Sequence, residues 1–173
     1  MEFVNSLIDK NTVIRRVILA ALMLVTFIFQ STGGFFPTLA GAHAILLVPL
    51  TVCISMFERE FAGMFFGLFA GAMLDSFSSD SIVFNSLSFT VIGFAAGAFI
   101  TYVMRNNLVC AVMLTAAFTL IYNTLDFIFY YAFSGAENPI KIYFRYFFVS
   151  VLYTVIFTPL YYLIVRAITK KLK

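Results

Sequence analysis

Six long apolar stretches, separated only by short polar turns, decide what this chain can become. A helix rising 1.5 Å per residue needs about 20 apolar residues to cross a bilayer. The stretches lie at 17–36, 39–57, 61–77, 82–104, 108–133 and 143–165. Between them stand Glu58-Arg59-Glu60, a Ser-rich stretch after Asp75, Arg105-Asn106-Asn107, and a loop from Ser134 to Lys141. Soluble domains carry about 25% charged residues. This chain has 11%, against 62% hydrophobic, too few charges to cover a water-facing surface. The expected fold is an all-α integral membrane protein, a bundle of six transmembrane helices forming one domain over residues 1–173. The first run follows Arg15-Arg16, as in a signal peptide, but no Ala-x-Ala-like cleavage site follows it. It therefore reads as an uncleaved first span. Residues 1–14 are mixed, with Phe3, Val4, Leu7 and Ile8 on one helical face. They fit either a short interfacial segment or a frayed terminus. Pro49 predicts a kink in the second span, and Pro159 falls near the end of the sixth.

The charges orient this layout. Six crossings return both termini to one side, which then holds nine cations: Lys10, Arg15, Arg16, Arg59, Arg105, Arg166, Lys170, Lys171 and Lys173. The opposite side holds two, Lys141 and Arg145. Lys and Arg favour the cytoplasmic side, so both termini are expected there. Such scattered cations form no basic face for nucleic acid. Cys53 and Cys110 lack metal-type spacing and read as small packing residues.

Within the third stretch, Gly63, Gly67 and Gly71 stand four residues apart and Asp75 follows at the same spacing. Residues four apart share a helical face, so the glycines form a smooth groove that ends in a carboxylate. Gly93 and Gly97 form a second pair on the fourth span. Two roles are open to these residues: packing between adjacent spans, or a contact with a partner helix.

Other polar groups are few. Asp126 lies in the fifth span on a face with Thr119, Tyr122, Asn123 and Tyr130. An intramembrane acid is a functional candidate by default. Near the outer end it also fits a structural acid paired with Asn123, a Tyr hydroxyl or Arg145. Asp80 flanks the outer loop with Asp75. His43 is the only histidine and has no neighbours at metal-ligand spacing. No nucleophile–base pair is evident. Gly71-x-x-x-Asp75 and Asp80 resemble a fragment of the CDP-alcohol phosphotransferase motif. The first half of that motif is missing and the second acid is one position off. Catalysis, cofactor and metal are therefore not expected.

Gly67-Leu-Phe-Ala-Gly71-Ala-Met-Leu-Asp75-Ser-Phe, a short Ser-rich loop, and Ile92-Gly93-Phe-Ala-Ala-Gly97 together resemble the rod shape-determining protein MreD family. The specific likeness covers about 35 residues; size, span number and the Arg pair before the first span also fit. In the loop this chain reads Ser81-Ile-Val-Phe-Asn85-Ser-Leu, where the family often has a Pro-Leu-Gly-Leu-His-like segment. The resemblance implies a non-catalytic subunit of the bacterial cell-elongation machinery in the plasma membrane. Its implied partners are MreC, the actin-like MreB, the transglycosylase–transpeptidase pair of side-wall peptidoglycan synthesis, and membrane lipid. The layout also resembles the substrate-binding (S-component) subunits of energy-coupling-factor vitamin transporters. Their Ala-x-x-x-Ala docking pair is absent from Arg16-Val-Ile-Leu-Ala20-Ala21-Leu-Met-Leu-Val25, and the chain has no Trp.

Overall fold

A computed structural model of the protein describes residues 10–32, 45–77, 84–103, 105–128 and 148–172. Five helices run through them: α1, Lys10–Ser31; α2, Leu47–Phe77; α3, Phe84–Tyr102; α4, Leu108–Phe127; and α5, Phe148–Lys171. All five are long and apolar enough to cross a membrane.

Burial follows the helical period. On α1 only Leu19, Met23, Thr26 and Phe27 are buried, a single stripe. Val17, Ile18, Leu24, Val25 and Ile28 on its other faces are exposed. A helix that is apolar on every side has no water-facing surface, and hydrocarbon is its natural solvent. On α4 the buried set is Ala111, Leu114, Thr115, Phe118, Thr119, Tyr122 and Asn123, at alternating steps of three and one. That stripe meets α5, whose inward side carries Ser150, Thr154, Thr158, Tyr161, Tyr162 and Val165.

The centre of the bundle is α2, which touches all four other helices. Every residue from Leu47 to Met56 is buried. The helix does not run straight. Residues eight apart on a straight helix are separated by about 12 Å along the axis. Here a Cβ placed on Gly63 would fall 2.6 Å from Ser55 Cβ. The chain therefore folds back at Arg59, whose φ of 71° and ψ of 177° are the non-helical values inside α2. That backbone region is nearly exclusive to glycine and costs about 1–3 kcal/mol for other residues. The flanking carboxylates hold it in place. Glu58 pairs with Arg15 and Arg16 of α1, and Glu60 Oε2 lies 2.9 Å from Thr101 Oγ1 of α3. In effect α2 is two helices, residues 47–58 and 60–77, hinged on one residue.

Several expectations change. The first helix starts at Lys10, so residues 10–14 belong to α1 rather than to a separate interfacial segment; residues 1–9 lie outside the described residues. Nothing between Lys10 and Arg16 breaks a helix, and Glu58 accepts both arginines. The kink expected at Pro49 is absent. Pro49 occupies the first turn of α2, where its missing N–H costs nothing. The break lies at Arg59, within the Glu58-Arg59-Glu60 turn expected between the second and third stretches. Likewise α5 continues six residues past 165, because Arg166-Ala-Ile-Thr-Lys-Lys holds no breaker and cations suit a helix C terminus. Pro159 therefore sits in the interior of α5. The end of the second span's approach (39–44) and the region 129–147 lie outside the described residues.

Candidate functional site

The glycines of α2 and α3 interlock. A Cβ on Gly63 would come within 2.6 Å of the Gly93 carbonyl oxygen, and one on Gly71 within 2.5 Å of the Asn85 carbonyl oxygen. At Gly67 it would strike the backbone carbonyl of Phe89, and at Gly93 that of Gly63. A Cβ on Gly97 would meet Glu60 Cα at 2.5 Å. Four successive turns of α2 thus lie backbone to backbone on α3. Only glycine permits this approach: main chain, which cannot rotate away, stands in the way at each of the five, joined at Gly63 by the Ser55 side chain.

Asp75 continues the line. Gly71 brings α2 against the first turn of α3, and one turn later the Asp75 carboxylate reaches the free N–H groups of that turn. Asn85 N donates to Oδ1 at 3.1 Å and Ser86 N to Oδ2 at 2.8 Å. Ser86 Oγ also donates to Oδ2, at 2.5 Å. The first four N–H groups of a helix have no partner within it, and an anion there also meets the positive end of the helix dipole. Asp75 is therefore the N-terminal cap of α3, supplied by its neighbour. Tyr122 of α4 joins the cluster by donating its hydroxyl to Asn85 Oδ1 at 2.6 Å. Its ring packs edge-on to Phe89, with centroids 5.5 Å apart.

The other singled-out residues fall elsewhere. Asn123 is buried in α4, next to Tyr122. Asp126, one turn further on, is half-buried and has no hydrogen-bond or ion-pair partner among the described residues. Tyr130, Arg145, His43 and Asp80 lie outside the described residues. Cys53 is buried, Cys110 half-buried, and both are free thiols. No group of three or more His, Cys, Asp or Glu side chains gathers as a metal site would among the described residues.

At the opposite end of the 60–77 helix stands a second polar cluster that the residue pattern alone did not single out. The Glu58 side chain is 1% exposed and lies between Arg15 Nε and Arg16 Nε, the latter at 3.2 Å. A buried carboxylate without such partners would be strongly destabilising. Asn106 donates Nδ2 to the Met56 carbonyl at 2.9 Å, satisfying one of the carbonyls that the break at Arg59 leaves open. The available signal was an acid beside a turn, in a chain with only eight acids.

No family model, no curated protein and no solved structure matches this chain.

Between α1 and the 60–77 helix runs an apolar groove of about 330 Å³, lined by Arg16, Ala20, Ala62, Phe65, Phe66 and Phe69. Phe65 and Phe69 are exposed along it. The interlocked glycines face away from solvent, so this groove is the open side of the glycine-bearing helix.

Proposed function

We propose that the protein is a non-catalytic, six-crossing subunit of the bacterial cell-elongation complex in the plasma membrane. It organises peptidoglycan synthesis by holding an MreC-like single-span partner, and through it MreB and the transglycosylase–transpeptidase pair. One observation carries this reading. The residues of the resembling segment act as a unit: Gly67 and Gly71 seat α3, Asp75 caps it, and Gly93 and Gly97 complete the interlock. The fold-back at Arg59 supports a sixth crossing, since it divides α2 into two. The gathering of Arg15, Arg166 and Lys170 around one cavity supports a common cytoplasmic end.

With the glycines engaged internally, the partner's helix is assigned to the groove beside Ala20 and Ala62. The test is co-purification of the MreC-like protein from mild detergent. The double variant Ala20→Phe/Ala62→Phe fills the groove and leaves the glycine interlock untouched. A drop in recovered partner of tenfold or more is expected. A wild-type protein that recovers no such partner overturns the functional reading. A folded double variant with full recovery moves the contact to another face.

A further inference from the structure

A cavity of about 310 Å³ opens at the end of the bundle where Glu58 is buried. Its walls are Arg15 of α1, Asn106 of the α3–α4 turn, and Arg166, Thr169 and Lys170 of α5, above an apolar floor of Met56 and Phe57. Four separate parts of the chain build it, and of its cations Arg166 and Lys170 are exposed while Arg15 is partly buried.

The charges around it do not balance. Glu58 is the one acid that pairs with cations here, and it is shared between Arg15 and Arg16. Arg166 and Lys170 have no acidic partner among the described residues. A hydroxyl is also idle. Thr169 Oγ1 is buried and makes no hydrogen bond. Thr51, Thr115, Thr119 and Thr158 share this state inside the bundle, whereas Thr169 lines the cavity. Asn106 meanwhile fixes the turn by its bond to Met56.

Guanidinium groups, an ammonium and a hydroxyl converging on one space form a donor set suited to a tetrahedral oxyanion. The apolar floor accommodates hydrocarbon beside that anion. Basic pockets between helix ends lie at the depth of lipid headgroups. We propose that this cavity binds a phosphate group at the membrane surface, carried by an anionic phospholipid or present as the free ion. The site is independent of the elongation reading and stands if that reading fails.

The full-length protein in nonionic detergent is tested by native mass spectrometry with phosphatidylglycerol, with phosphatidylcholine, and with inorganic phosphate alone. Wild type is expected to retain phosphatidylglycerol, inorganic phosphate, or both, with phosphatidylglycerol at least fivefold over phosphatidylcholine where the lipid is the ligand. Arg166→Gln/Lys170→Gln is expected to abolish that retention. Lys10→Gln/Lys171→Gln removes the same charge at equally exposed positions outside the cavity and is expected to keep it. Displacement of the lipid by inorganic phosphate assigns the site to the free ion; persistence of the lipid assigns it to the headgroup. Equal retention of both lipids without phosphate binding overturns the proposal, as does equal loss in the two double variants. If the cavity variant fails to fold, wild-type retention is compared at about 50 and 500 mM NaCl. Retention must fall with salt, and salt-insensitive retention also overturns the proposal.

Discussion

A carboxylate placed one turn beyond a glycine does its work ten residues downstream. Asp75 accepts from the Asn85 and Ser86 backbones and from the Ser86 hydroxyl, and so closes the start of α3. Asp75→Ala removes all three of these bonds and leaves N–H groups without an acceptor. A loss of about 2 kcal/mol is expected, read as a lower unfolding midpoint in detergent. Asp75→Asn keeps one acceptor oxygen and should lose less than half of that. An unchanged midpoint in Asp75→Ala would remove the capping role. The acid's four-residue phase with the glycines was legible in the sequence. Its acceptor role was not, because that depends on where α3 begins. The apolar stretch runs from 82 without a capping residue of its own, so hydropathy does not fix which N–H groups open α3. Glu58 was hidden for a related reason. Nothing local marks a turn acid as the one that will be buried, since its partners lie 42 and 43 residues earlier.

Between helices, the glycine interlock yields a prediction in which two effects have opposite signs. Gly67→Ala gains about 1 kcal/mol in helix propensity. The same methyl strikes the Phe89 carbonyl and forces α2 away from α3. Overpacking of this kind costs about 1–3 kcal/mol, and here it acts on rigid backbone. The expected net result is destabilisation, with a lower melting midpoint and reduced folded yield. A more stable variant would show that the helices do not meet at this face. The spacing exposed the groove directly, but packing and partner binding require the same spacing, so sequence alone left both open. The apolar runs likewise located every described helix, with ends displaced by up to seven residues at α1. The charged triplet Glu58-Arg59-Glu60 marked the turn between the second and third stretches, and the chain folds back there. Pro49 read as a kink and is not one, and the strained residue of the turn is Arg59, whose backbone no propensity favours. Tertiary anchoring of Glu58 and Glu60 overrides it.

For the molecule as a whole, the proposed arrangement makes a topological prediction. In a background with Cys53 and Cys110 replaced, single cysteines at Glu60 and Arg105 should react with impermeant reagents only from the cytoplasmic side. Cysteines at Asp80 and Glu137 should react from outside. The reverse pattern would invert the protein, and Glu60 and Arg105 on opposite sides would break the six-crossing count. The ion cluster at Glu58 also bears on how such a molecule is made. Synthesis runs from α1 to α2, so Arg15 and Arg16 precede Glu58 out of the ribosome. When the hinge arrives, its carboxylate meets two waiting guanidiniums, and the hinge can enter the bundle without a lone charge facing hydrocarbon. The first helix is thus made before the piece it holds, and both partners of the hinge acid already exist when that acid is synthesised.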